Sequence, residues 1–156
     1  MKHTFFYTFA IIAIISLIYL NFAKSKKAEG QINVIHTDSA PQPIGPYSQA
    51  IRKGNAMFVS GQVGIDPATG KLDTTDIATE TKRALLNIRA ILASSGMTMN
   101  DIAKTTIYLT DLNDFKTVNE TYAQFFGKGP YPARETVQVA ALPKGAHVEI
   151  GVTAVK

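Results

Sequence analysis

Cysteine is missing from the 156 residues. Its absence excludes disulfides, thiolate metal sites and a cysteine nucleophile, and it leaves the redox compartment open. Histidine is scarce. Beyond His3 only His36 and His147 occur, and neither has a partner four residues on or a cysteine nearby, so no metal centre is expected. Ser60 lacks the Gly-x-Ser-x-Gly elbow, and no order of His and Asp supports a triad. Neither the Gly-x-x-x-x-Gly-Lys loop nor the Gly-x-Gly-x-x-Gly loop that cradles phosphates is present. No internal repeat is visible. Asn119-Glu120-Thr121 fits a glycosylation sequon but falls within an expected helix, so it reads as a chance match. Nucleophilic, metal and nucleotide chemistry are therefore all without support.

Charge is also sparse, at 18% of residues, while apolar residues reach 46%, enough for the core of one ordinary domain. The formal charge of +4 invites a nucleic-acid reading, but its location argues against one. Lys2, Lys24, Lys26 and Lys27 all flank the N-terminal apolar run, and from Ile32 onward 12 basic residues face 11 acidic ones. The body carries no basic stripe of the kind phosphate binding needs, so no nucleic-acid partner is expected.

Thr4 through Ala23 is an uncharged run of 20 residues, the length that spans a bilayer as a helix. Residues 1–30 therefore read as a leader, and residues 31–156 as the folded domain. The leader is expected to anchor the chain in a membrane by one helix. The alternative is an export signal cleaved near Ala23-Lys24-Ser25, which would leave the domain exported or periplasmic. Lys24 to Gln31 reads as a polar tether.

The body alternates patterns of period two with two patterns of period 3.6. Strands are expected at Ile32–His36, Tyr47–Arg52, Ala56–Ser60, Lys104–Thr110, Glu135–Ala140 and His147–Val155. Between Thr75 and Ser95, residues Ile77, Thr81, Ala84, Leu85, Ile88, Ile91 and Leu92 share one helical face, with Thr74 or Thr75 as cap and Gly96 as stop. A second helix follows the cap at Asp111–Asp114, with Phe115, Val118, Tyr122, Phe125 and Phe126 on one face. The order β-β-β-α-β-α-β-β predicts an α+β two-layer sandwich of one six-stranded sheet with both helices on one face. The other face would be open yet fairly apolar, which points to burial in an oligomer.

A few polar residues remain in apolar surroundings. Arg134 stands where the loop Gly129-Pro130-Tyr131-Pro132 becomes a strand. It reads either as an ordinary surface arginine or as an anchor for a small acid, since its planar fork matches a carboxylate. Glu149 lies in mid-strand between Val148 and Ile150, on the opposite face and together with His147. It faces solvent or, if that face is covered, requires a cationic or water partner. Tyr47 follows a rigid Gly-Pro, and Asn119 sits on the second helix.

Several ordered blocks resemble one family. They are Ala40-Pro41 with Ile44-Gly45-Pro46-Tyr47-Ser48-Gln49-Ala50; Val59-Ser60-Gly61-Gln62; Asp111-Leu112-Asn113-Asp114-Phe115 with Val118-Asn119 and Tyr122; Pro132-Ala133-Arg134; and Ala141 through Ile150. From about Ile32 to Lys156 the chain resembles the RidA (YjgF/YER057c/UK114) family. The resemblance implies a chorismate-mutase-like fold, a homotrimer with sites between subunits, and hydrolysis of reactive enamines and imines such as 2-aminoacrylate or 2-iminobutanoate to 2-oxo acids and ammonia. Those compounds arise from pyridoxal-phosphate enzymes, and the hydrolysis itself takes no cofactor. The resemblance further implies Arg134, Glu149 and Tyr47 as catalytic residues: Arg134 on the substrate carboxylate, Glu149 on the attacking water, and Tyr47 hydrogen-bonding to either. Arg134, Asn119, Ser60, Gly61 and Thr136 are implied as substrate-binding residues. Non-catalytic ligand binding or regulation by such a trimer is the alternative. The chain departs from the family's pattern at Glu135, Thr136 and Gln138, where a small residue, Ala or Cys, and Glu are frequent.

Overall fold

The computed structural model describes Ile12, residues 14–21 and residues 30–156. Its elements are β1 (Ile32–Ile35), β2 (Ala50–Lys53), β3 (Ala56–Val63), α1 (Ile77–Ala93), β4 (Ile102–Leu109), α2 (Phe115–Ala123), β5 (Ala133–Gln138) and β6 (Val148–Val155). The six strands form one sheet in the order β1-β2-β3-β6-β4-β5. Every neighbouring pair is antiparallel except β4 and β5. The expected α+β, mixed six-stranded architecture is therefore present.

Its two layers follow from the periodicities. Val148, Ile150, Val152 and Ala154 of β6 are buried, as are Met57 and Val59 of β3 and Thr105, Ile107 and Leu109 of β4. Against them packs the apolar stripe of α1, with Ala84, Leu85, Ile88, Ile91 and Leu92 all buried. The intervening residues face the uncovered side, where Phe58, Val137 and Val155 remain exposed. That side is open and partly apolar, as its alternation predicts.

Local chemistry moves the element ends by a residue or two. Asp76, not Thr74 or Thr75, caps α1, because its carboxylate accepts from Thr79 N at 2.7 Å. Asp111 accepts from Asn113 N at 2.9 Å and opens a short 3-10 turn, so α2 begins only at Phe115. Parallel strands require a crossover. Here α2 supplies it between β4 and β5, which brings the start of β5 beside that helix. The register of β3 against β6 shifts between Val59 and Gln62. β3 thus runs on to Val63 through a bulge at Ser60 and Gly61, beyond the end expected at Ser60.

The expectation of a membrane partner is corrected. Among the described residues no helix is long and apolar enough to cross a membrane, which removes the support for a transmembrane or signal helix and for a membrane-anchored or exported location. Residues 14–21 are helical. The other residues of the Thr4–Ala23 run, Ile12 apart, lie outside the described residues, as does most of the tether.

Candidate functional site

The candidate residues, Thr136 apart, fall into two cavities that open on opposite sides of the sheet. The first is about 380 Å³ and is lined by Asn119, Tyr122, Ala123, Tyr131, Pro132 and Arg134. Arg134 pairs with Thr105, whose side chain is buried under the helices, so Arg134 points to the helix layer. There α2 braces it. One guanidinium nitrogen donates to Asn119 Oδ1 at 2.8 Å. The guanidinium carbon lies 4.9 Å from the Tyr122 ring centre and 5.8 Å from that of Phe115. Phe115, Asn119 and Tyr122 follow one another at i, i+4 and i+7, one stripe of α2 turned toward the strand edge. The stripe also ties to the sheet, since the hydroxyls of Tyr122 and Thr105 are hydrogen-bonded at 2.9 Å. Burial raises the Tyr122 pKa, an effect partly opposed by the Thr105 hydrogen bond and the Arg134 charge. Among the described residues no carboxylate lies within ion-pair distance of Arg134. Most of its five N–H donors therefore stay available to a ligand.

The second cavity is about 350 Å³ and contains Tyr47, Ser60, Gly61 and Glu149 together, with Lys144 and several apolar side chains. Glu149 pairs with Tyr108 and Val63 on the uncovered face. Burial pushes its pKa above the ordinary glutamate value, with no donor offsetting the effect. The β3 bulge makes room for this carboxylate. A Cβ on Gly61 would collide with it, and would lie within 2.9 Å of Glu149 Cγ. Ser60 is committed elsewhere: its hydroxyl donates to Ser48 O at 2.7 Å, pinning the loop that carries Tyr47. The Tyr47 hydroxyl accepts from Ile44 N at 3.2 Å.

Gln49, which the sequence reading passed over, organises that wall. Its buried amide accepts from Thr37 N at 2.7 Å and donates to the carbonyls of Thr37, Ala40 and Pro41. Glu80, in the first turn of α1, is buried. It accepts from the backbone of His147 and Val148 at 2.8 and 3.2 Å and lies 3.0 Å from His147 Nδ1. His147 is thereby drawn toward α1 and away from the face that carries Glu149. A signal for both residues exists in the sequence only as polar side chains inside apolar patterns.

Glu135 stands next to Arg134 in the chain but points to the other face. There it accepts from Thr106 Oγ1 at 2.9 Å and pairs with Lys104 Nζ at 3.1 Å. These hydrogen bonds, Thr106 first, hold its pKa below the usual value. Its charge is therefore turned away from the guanidinium. Thr136 shares the Arg134 side of β5 yet lines neither cavity. Gln138 accepts from Leu112 N at 3.0 Å and closes the end of β5 onto the turn before α2. Among the described residues no group of three or more His, Asp or Glu could hold a metal ion.

The two half-sites do not meet within one chain. Glu149 is level with Tyr108 and Val137, three residues along β5 from Arg134 and two strands across. At about 3.3 Å per residue and 4.8 Å per strand, their Cα atoms are on the order of 14 Å apart, on opposite faces.

Residues 37–156 match the family model described as endoribonuclease L-PSP. A RutC family protein of Pyrococcus horikoshii is 50% identical over 123 residues, covering 79% of this chain and 97% of that protein. The human 2-iminobutanoate/2-iminopropanoate deaminase is 48% identical over 123 residues, 79% of this chain and 89% of its own. Among solved structures, E. coli TdcF with bound serine superposes with a TM-score of 0.76 at 43% identity, covering 80% of this chain and 98% of that one.

Proposed function

The chain belongs to the RidA/YjgF family, and on that premise we propose that it hydrolyses reactive 2-imino and 2-enamino acids to 2-oxo acids and ammonia. The braced guanidinium of Arg134, with no carboxylate against it among the described residues, is the observation that carries this assignment. A charge-assisted fork of this kind holds the substrate carboxylate in a bidentate pair. Relatives named for imine deamination, and a relative whose structure holds serine, support a small acid bearing nitrogen at its second carbon.

Glu149, its pKa raised by burial, takes a proton from water. The water oxygen bonds to the imine carbon, the carbon–nitrogen bond then breaks, and nitrogen leaves as ammonia carrying the transferred protons. An enamine enters the same route after tautomerising to its imine. Tyr47 hydrogen-bonds to the water or substrate from the cavity that holds Glu149, and Asn119 keeps the guanidinium oriented. Gly61 leaves room for the Glu149 carboxylate over the backbone, and Ser60 holds the Tyr47 loop. Thr136 lies on the Arg134 side of β5, outside the lining of both cavities.

The separation of Arg134 from Glu149 supports a site shared between two copies. In a homotrimer with sites between subunits, Arg134 of one copy faces Glu149 and Tyr47 of the next. The uncovered apolar face of the sheet supplies a surface for such packing. The test generates 2-iminopropanoate and 2-iminobutanoate with an amino acid oxidase and traps them with semicarbazide. The protein lowers semicarbazone formation, and Arg134→Ala abolishes the effect. No effect from the unaltered protein, or an undiminished effect in Arg134→Ala, sinks the assignment. Ligand binding without turnover would favour a non-catalytic regulatory trimer instead.

A further inference from the structure

We infer that Gln49 is a positioning residue for the hydrolysis and that it acts through Tyr47. This inference rests on the imine-hydrolase reading above. Residues 36–49 join β1 to β2 without forming a strand or helix. Pro41, Pro43 and Pro46 in that span carry no N–H, so it builds no ladder of its own. One side chain takes the place of a ladder. Gln49 Oε1 accepts from Thr37 N at 2.7 Å. Gln49 Nε2 lies 2.9 Å from Thr37 O, 3.1 Å from Ala40 O and 2.9 Å from Pro41 O, so its two N–H donors are shared among three carbonyls. Gln42 Nε2 adds a longer contact to Thr37 O at 3.4 Å. The far end of the span is tied to the β3 bulge, where Ser60 N donates to Gln49 O at 3.0 Å and Ser60 Oγ to Ser48 O at 2.7 Å. Gln49 is 2% exposed and all these partners belong to one chain, so the clamp does not depend on what a second copy covers.

The clamped span forms a wall of the cavity that holds Glu149, to which Pro41, Ile44 and Tyr47 all contribute. The Tyr47 hydroxyl accepts from Ile44 N at 3.2 Å, which leaves its own proton free to donate. Tyr47 N in turn donates to Gly45 O at 2.8 Å. The place of the hydroxyl is thus set by the backbone of residues 44–47, and that backbone is held at both ends by Gln49 and Ser60. Both ends of the Gln49 amide are taken by main-chain groups, so its part is to hold the wall, not to touch the substrate. Catalysis is sensitive to such placement, because a reacting group counts only in the right geometry.

The experiment is a double-mutant cycle on kcat and KM for 2-iminopropanoate, generated by an amino acid oxidase and followed by semicarbazide trapping. Gln49→Met keeps the length of the side chain without its amide. Gln49→Glu keeps an acceptor for Thr37 N without the donors. Rates are taken per folded protein, with the folded fraction read by circular dichroism. Each variant lowers kcat about tenfold, the scale of one lost hydrogen bond. KM stays near that of the unaltered protein, because Arg134 still holds the carboxylate. In a Tyr47→Phe background, which lacks the hydroxyl, the same substitutions lower kcat no further. An unchanged kcat per folded protein, or an equal loss with and without the Tyr47 hydroxyl, overturns the inference and leaves the imine-hydrolase assignment standing. Failure of both Gln49 variants to fold does the same, since Gln49 would then serve the fold alone. Failure of the unaltered protein to turn over the imine overturns both.

Discussion

Arg134 and Glu149 offer a test that depends on their placement and not on their identities. Each alone is expected to be indispensable, so Arg134→Ala and Glu149→Gln should both be inactive as pure proteins. Their Cα atoms lie on the order of 14 Å apart on opposite faces of the sheet, given ~4.8 Å per strand and ~3.3 Å per residue. A carboxylate must sit about 2.8 Å from the guanidinium, and the imine carbon is the next atom along. One chain cannot bring both groups to that carbon. If each site takes Arg134 from one copy and Glu149 from the next, mixing the two inactive variants restores activity. In a ring of copies assembled at random from equal amounts, half the Arg134 positions and half the Glu149 positions are intact, so about a quarter of sites are complete. The mixture, co-expressed or unfolded and refolded together, is assayed for semicarbazone suppression against the unaltered protein at equal concentration. Recovery near that fraction supports a shared site. Activity no higher than that of the separate variants refutes it, provided size-exclusion and mass analysis show that mixed oligomers formed.

The carboxyl of Glu149 sets a pH dependence of definite sign. Its folded pKa is raised by burial, so the active, deprotonated form is lost as pH falls through a value above the ordinary ~4.3 for glutamate. The acid limb of kcat/KM for an imine should lie there, and a limb at or below the ordinary value would contradict it. The same shift bears on stability: the protonated form favours folding below the unfolded pKa, and this contribution is lost as pH rises through the folded one. Glu149→Gln should therefore gain stability relative to the unaltered protein on going from pH 4 to pH 7, read by urea denaturation. Glu80 contributes through its hydrogen bonds to the backbone. Glu80→Ala leaves the N–H groups of His147 and Val148 without their acceptor, which costs about 2–6 kcal/mol at ~1–3 kcal/mol per unsatisfied group. Glu80→Gln keeps one acceptor oxygen and should lose less, and equal losses in the urea midpoint would show that the carboxylate does not hold β6.

Strand and helix identities were legible because period decides them locally. Alternation along Val148–Val155 and the stripe from Ile77 to Leu92 each specify one buried face wherever the element packs. The candidate site residues came chiefly from the resemblance of the blocks around Tyr47, Ser60, Arg134 and Glu149 to one family, and of these Tyr47, Arg134 and Glu149 also stood out as polar residues in apolar surroundings. The sequence also carried the open sheet face, since the residues between the buried ones remain fairly apolar. At the N-terminus the hydropathy of Thr4–Ala23 suggested a membrane span, for which the described residues give no support.

Only the tertiary structure decided how these residues group. The parity of β5 sends Arg134 to the helix side and Glu135 to the other, where Thr106 and Lys104 bind it, so the charge beside Arg134 in the chain is remote from it in space. Strand order, which no local pattern encodes, inserts β4 between β5 and β6 and divides Arg134 from Glu149. Packing turned Phe115 and Tyr122, apolar stripe residues in the sequence, into the aromatic bed of a cation. It also buried Gln49 and Glu80, whose worth lies in backbone groups up to 68 residues away. Local periodicity governs which face a residue takes. Which residues then share that face depends on contacts between distant segments, and those exist only once the sheet has closed.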